Sequence, residues 1–473
     1  MFRTRPYIAL FSIALLPALA ACGSSDPEQT TGGSTAGKTT VGAQGGVIKL
    51  DNGFEITVPE GALTQDVNIT VTELSETPAH SGFESHGPSF LLGPEGQTFA
   101  KPLTIKLPYD SVTLPQGMKL DMRAFTAPKD SDAFTQLTVS ELGESVLTTS
   151  TTHFSVFTAG MLTPATVSGG EKFPLAIAAD AEYIYWTNSG NNDNQREDGN
   201  EGFVMRAPKA GGAAAPITAA MPDPRAIALD DTHIYWVNGG DSDGGADNLG
   251  IPGSIMRANK DGSDATELSS ANFPVSILLN DGYLYWGDAY SNEIRRLPIA
   301  GGNSELVTDA AYRPEFLTAD ATDVYWTGGS EGTVSKAPKA GGAATELASG
   351  QTDAKGIVLV GDNVYWADAG SNVGAGGAAD LAGAIRMVPK AGGSVTDVYS
   401  SAMPTDLKVV GDDLVFTDQV LGMVVRLPLA GGEATVLSMD QSLPWRLFFD
   451  GTDLVWSNAG KYEFDGSIQH FSL

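Results

Sequence analysis

Few residues in this chain combine a reactive type with a usable spacing. Gly240-Asp241-Ser242-Asp243-Gly244 fits G-x-S-x-G, but a nucleophilic serine of that kind needs a strand-turn-helix setting, and this run stands in a Gly/Asp-rich loop. In the same loop Asp241, Asp243, Asp247 and Asn248 offer oxygens at the short spacing of a calcium loop, yet no glutamate closes the twelve-residue pattern. A Ca2+ site on Asp241, Asp243 and Asp247 and a solvated acidic loop are the two readings; no other metal or cofactor is expected. Of the five histidines, His80 and His86 share the run "AHSGFESHG" without a placed carboxylate, and His153 adjoins Phe154 in a strand, the setting of a hydrogen-bonded structural residue. Cys22 is the only cysteine and has no partner for an intramolecular disulfide. No catalytic set emerges.

The elements that must position any site are repeats. "YIYWTN" at 183 to 188 returns as "HIYWVN", "YLYWGD", "DVYWTG", "NVYWAD", "DLVFTD" and "DLVWSN", which puts an aromatic at Trp186, Trp236, Trp286, Trp326, Trp366, Phe416 and Trp456. Each unit runs through an apolar stretch after proline (strand A), the aromatic stretch (B), a basic-apolar stretch ending in Gly-Gly (C) and a short Thr/Val/Leu stretch (D). Four strands at this period make a β-propeller blade. The last unit ends at strand C, and "TPATVSGG" (163 to 170) has the look of a strand D without a blade, so pairing the two ends closes a seven-bladed ring and removes its exposed edges. A large aromatic pair in every blade is expected to pack sheet against sheet rather than do chemistry. The strand-C cations Arg206, Arg257, Arg296, Lys336, Arg426 and His470 are expected to meet the polar residue after the pair, such as Asn188, Asp288 or Asp418.

Where the repeat breaks, function is expected. Counting strand directions puts the D-to-A and B-to-C connections on one face, and three B-to-C connections carry insertions: "SGNNDNQREDGNEG", "GGDSDGGADNLGIPG" and "AGSNVGAGGAADLAG". Around the channel mouth on that face the copies disagree chemically. Arg225, Glu315, Lys355, Asp406, Trp445 and Arg446 form a polar, partly aromatic rim suited to a small polar ligand or a peptide loop. His233, in a turn on the other face, and His470, inside a strand, cannot reach that mouth.

Residues 45–160 alternate without helical period, and Gly, Pro and Asn punctuate short strands, as in a β-sandwich of about a hundred residues. Residues 1–21 give a basic start (Arg3, Arg5), an apolar core and small residues before Cys22, an export signal too short for a convincing membrane span. Residues 22–44 lack large apolar side chains and read as a flexible tether. The net charge of −29 repels phosphate backbones and anionic lipid, so no nucleic acid is expected as a partner.

Three resemblances follow from these residues. Leu19-Ala20-Ala21-Cys22 resembles the lipobox of bacterial lipoproteins, which implies acylation of Cys22 and, with Gly23 rather than Asp next, the outer membrane of a Gram-negative cell. "GGVIKLDNGFEITVPEGAL", "LLGPEGQTFAKPLTIKLP" and "THFSVF" resemble the ZU5 domain, whose members act in protein association. The repeats resemble YWTD-type propellers, although several depart from the tetrad and the receptor version has six blades, so no binding residue is inherited. The expected architecture is all-β: a ZU5-like sandwich at 45–160, then a seven-bladed propeller at 161–473 closed by its N-terminal strand. The expected function is that of a monomeric, non-catalytic, membrane-anchored surface lipoprotein binding a protein or glycan through the loop-rich face. The alternatives are a propeller lyase or lactonase, or a periplasmic ligand sensor.

Overall fold

The computed structural model describes residues 34–473 except 116, 191–201, 241–251, 371–381 and 462–464. Cys22 and the proposed calcium ligands Asp241, Asp243 and Asp247 lie outside the described residues.

Each prolyl run opens an inner strand that pairs antiparallel with the aromatic run in one register: Pro174 faces Asn188, Pro224 faces Asn238, Pro274 faces Asp288, Pro404 faces Asp418 and Pro444 faces Asn458. A residue without N–H is tolerated at the first position of a strand. Strands B, C and D follow in order, so the repeats give seven sheets. The seventh is built from both ends of the propeller. Pro444–Phe449, Asp453–Asn458 and Gly466–Ser472 supply its first three strands, and Ala165–Glu171 supplies the fourth, pairing Ala165 with His470 and Thr166 with Gln469. Successive inner strands are neighbours, and Pro444–Phe449 lies beside Pro174–Ala179, closing the ring.

Why the aromatics come as a pair follows from strand geometry: consecutive side chains point to opposite faces of a sheet. Trp therefore enters the core shared with the preceding blade and Tyr the core shared with the next. Tyr185 packs with Trp236, Tyr235 with Trp286, Tyr285 with Trp326, and Tyr325 with Trp366. The ring closes with Val455 of blade seven against Trp186 of blade one. All six of these tryptophans, counting Trp456, are at most 1% exposed. Each buries roughly 150 to 250 Å², a gross gain of about 4 to 6 kcal/mol before entropy.

The strand-C cations do not meet the polar residue after the pair. Arg206 stands opposite Tyr185, three positions from the Phe203 that faces Asn188, so its side chain works at the other end of the blade. There it reaches forward: Arg206 donates to the Lys260 carbonyl of blade two (2.9 Å), Arg257 to the Ile299 carbonyl of blade three (3.2 Å) and Arg296 to the Lys339 carbonyl of blade four (2.7 Å). Lysines of the same turns reach back. Lys260 pairs with Asp180 at 2.9 Å, Lys339 with Asp281 at 2.7 Å, Lys390 with Asp320 at 3.1 Å, and Lys209 with Asp450 across the closure. Among the described residues only Arg386, shifted to face Trp366, meets the expected partner: it pairs with Asp368 at 2.6 Å.

The N-terminal unit is a sandwich of two sheets over one core, with two departures from expectation. Ser34–Val41 is a strand on the edge of Val67–Glu73 and not part of a tether; pairing needs only its backbone, and Val41 is buried. Met118–Leu120 leaves the sandwich and pairs parallel with Ala434–Ser438 as the fifth strand of blade six. Met118, Leu120 and Met122 then share one apolar cluster with Phe416, Val425, Leu427 and Val436. The units expected as separate domains at 45–160 and 161–473 thus share a sheet and a core.

Two outcomes follow. Calorimetry of the full chain should show sandwich and propeller melting in one transition, and Leu120→Asp, a charge at a site 5% exposed, should split off an earlier one; two transitions in the parent chain would mean independent units. The turn carboxylates set acid stability. Burial pushes Asp230 up, but the Thr232 N–H, the Tyr235 hydroxyl and the His233 N–H outweigh it and bring it to about 2; Asp180, Asp320 and Asp450 are also lowered. A carboxyl lowered in the folded state stabilises fully above its unfolded pKa, about 3.9, and loses that contribution as pH falls through the folded value. The melting temperature should therefore drop steeply between about pH 4 and pH 2, and Asp230→Asn should flatten the drop.

Candidate functional site

The channel mouth is built from the first turns of the inner strands. The residue before the proline takes a left-handed conformation at Phe173 (φ 51°), Asp223 (46°), Arg313 (44°) and Leu443 (56°), and the ladder bulges just after the proline in blades one, two, three, six and seven. Bulges re-aim side chains, and non-glycine residues at positive φ store strain. Buried carboxylates hold these loops. Asp288 accepts the N–H groups of Asn272, Phe273, Tyr290 and Ser291, and Asp418 those of Ala402, Met403 and Leu421. These are the polar residues after the aromatic pair, now with a role: they satisfy the backbone at the mouth.

Of the six rim residues, four come together. Lys355 lies between Glu315 (2.9 Å) and Asp353 (3.1 Å), with its Nζ 5.8 Å from the centre of a Trp445 ring. Arg446 reaches across from blade seven to blade four, its guanidinium carbon 3.6 Å from the centre of the Phe316 ring, and its Nε donates to the Leu175 carbonyl at 3.2 Å. Burial lowers the Arg446 pKa against the opposing pull of Asp406 and Glu315, and burial raises that of Asp353 although Lys355 draws it down.

The other two have ion-pair partners of their own. Arg225 pairs with Asp223 at 2.5 Å and lies over Phe273, whose ring meets Tyr290 edge-on at 5.5 Å. Asp406 is 2% exposed; it accepts the Leu407 and Leu447 N–H groups and pairs with Lys408 at 2.7 Å, so it ties blade six to blade seven. Beneath the rim lies a cavity of about 370 Å³ lined by Ala176, Ala226, Ile227, Val275 and Ile277 on one side and by Glu315, Phe316, Asp406, Lys408 and Arg446 on the other.

Phe316, Phe273 and Asp353 are contributors that the rim reading missed. The signal for the first was present, since "RPEF" alone puts a phenylalanine third in the inner strand. His233 pairs with Asp230 at the opposite face, and His470 with Asp453 in blade seven. Among the described residues no group of three or more His, Cys, Asp or Glu could hold a metal ion.

Residues 37–124 match the ZU5 domain family. No curated protein matches the sequence. Among solved structures, the chain is similar to a streptogramin B lyase (TM-score 0.48, 12% identity, covering 66% of this chain and 97% of that one). It is also similar to the computationally designed Ika8 protein (0.45, 14%, 65% and 98%) and to a chain of a nidogen/laminin complex (0.32, 17%, 65% and 90%).

Asp406→Ala strands the buried Leu447 N–H and leaves the Lys408 ammonium only the Leu407 carbonyl (3.1 Å). Urea unfolding should show a loss of about 3 kcal/mol, whereas a residue that only contacts ligand would leave stability unchanged.

Proposed function

We propose that the protein is a non-catalytic lipoprotein, acylated at Cys22 and held to the outer membrane, that recognises a protein or glycan partner with the mouth face of its propeller. The observation that carries the reading is where the exposed aromatics lie. Tyr290 (56% exposed) sits in a B-to-C turn, its ring edge-on to the Phe273 that Arg225 covers, and Tyr312 (59%) sits in a D-to-A loop, both on the mouth face. Aromatics and arginine are the side chains that carry partner binding, because they bury much area with few rotors.

Other features support it. The described ends of the three insertions, Asn188 and Phe203, Asn238 and Gly253, Asp368 and Gly383, open at this same end of the blades. All five histidines are among the described residues: His80, His86 and His153 in the sandwich, His233 on the opposite face and His470 in a third strand. Histidine-based chemistry at the mouth therefore lacks its side chain. The motif ending at Cys22 supports the anchor, and no described helix is long and apolar enough to cross a membrane.

The reading has two measurable parts. Cells fed labelled palmitate should label the chain, and Cys22→Ser should abolish the label; label retained in that variant excludes the anchor. On a glycan and surface-protein array, full-length protein carrying Tyr290→Ala and Tyr312→Ala, both at exposed positions, should lose at least about tenfold in binding with its melting temperature unchanged. Undiminished binding would move recognition off this face.

A further inference from the structure

Arg446 is in an unusual position for a partly buried cation. It crosses the channel, lies over Phe316 at 3.6 Å and spends only Nε on the protein, donating to the Leu175 carbonyl at 3.2 Å. Asp406 and Glu315 are close enough to favour its charge, but neither forms an ion pair with it: Glu315 and Asp353 hold Lys355, and Asp406 holds Lys408 together with the Leu407 and Leu447 N–H groups. Neither terminal nitrogen of Arg446 has a hydrogen-bond partner among the described residues. A guanidinium whose flat face is covered and whose two outer N–H groups are open is half of a bidentate pair, and the matching half is a carboxylate.

The space in front of it is of suitable size and lining. The cavity of about 370 Å³ has residues of blades one, two, three, four, six and seven in its wall, and apart from Ser276, whose hydroxyl donates to the Pro314 carbonyl, the part contributed by blades one to three is apolar, including Ala176, Ala226, Ile227, Val275 and Ile277. Pockets of ~300 Å³ and more take small molecules, binding the body by apolar contact and fixing its orientation with a few polar groups. We propose that the channel binds a small monocarboxylate with a compact apolar body, Arg446 taking the carboxylate and the inner strands of blades one to three taking the body. The partial enclosure that lowers the Arg446 pKa also makes such a pair stronger than one in open water. The chain's net charge of −29 repels anions at long range, but across more than about 10 Å of physiological salt that field is largely screened, and the contact at Arg446 decides.

This site stands on the channel and not on the exposed face, so it and the partner reading fail separately. The test is equilibrium dialysis of purified full-length protein against labelled 3-phenylpropionate, with 3-phenylpropionamide as the uncharged comparison and melting curves for every variant. The parent chain should bind the acid saturably and the amide at least about tenfold more weakly, because a charged fork loses its partner. Arg446→Gln should weaken the acid by a similar factor and leave the amide where it was. Val275→Trp, which fills the apolar wall and keeps Arg446, should weaken both. Equal affinity for acid and amide, no saturable binding of the acid at millimolar concentration, or full binding by a folded Arg446→Gln would each overturn the proposal. If Arg446→Gln does not fold, the acid-amide comparison and Val275→Trp still decide it.

Discussion

The constraint on which this molecule depends is that two neighbouring residues of one strand point to opposite sides of a sheet. Placing Tyr and Trp there gives every blade one ring for the seam behind it and one for the seam ahead, and a closed set of seams leaves no blade without a neighbour on either side. The pair is diluted in three places. Phe416 replaces Trp, and Val415 and Val455 replace Tyr, so the seams from blade five round to blade one carry less aromatic surface. These are the blades that the sandwich supports. Met118–Leu120 extends blade six, Leu162 packs into the seam between blades six and seven, and Ala165–Glu171 completes blade seven. Ala434–Ser438 is buried along its whole length, unlike the other outer strands. The N-terminal unit thus replaces with its own side chains the burial that the repeats fail to supply.

Electrostatics adds a second set of ties. Much of the chain's basic charge faces inward along the seams: strand-C arginines reach forward to turn carbonyls, and turn lysines reach back to aspartates one blade earlier. Except at the exposed Asp281, the aspartates of these pairs are partly buried and held by backbone donors, which distinguishes them from isolated surface ion pairs. Using cations this way leaves the outer surface dominated by carboxylates, which is how a chain of net charge −29 stays assembled while repelling polyanions.

How much of this was legible depends on how far apart the interacting residues lie. The blade period, the split seventh blade and the packing role of the aromatics are local patterns repeated in sequence, and Ala165–Glu171 pairs with the C-terminal strand as the missing fourth strand required. The cations failed at the next step. The type and position of Arg206 could be read, but its partner is a carbonyl in the following blade, and only the register of Tyr185 against Arg206 reveals which end of the strand it serves. The repeated lysine of "PKAGG" was a usable signal, since a charged residue recurring beside a turn needs a recurring partner. Met118-Lys119-Leu120 had no signal at all: three residues cannot show a period, and their partner lies more than three hundred positions away.

The rim shows the same limit and also why chemistry concentrates there. Strict repetition would give seven equal residues at the mouth, and a sevenfold ring of one charge would repel itself. The sequence instead mixes signs, one acid in blade four and bases in blades five and seven, so that Glu315, Lys355 and Arg446 lie together over two aromatic rings. Most of these charges neutralise one another, which is why a list of rim residues overstates how many can hold a ligand. What a ligand can use is the remainder: a guanidinium edge with no carboxylate of its own, facing a wall whose residues were kept small and apolar in three consecutive blades. Part of that wall also serves the ring, since Ala176 and Ile227 pack with Trp236, and Ala226 and Ile277 with Trp286. The packing of the seams therefore accounts for the apolar wall but not for a guanidinium edge left without an ion pair, and that edge is the feature the proposed monocarboxylate would use.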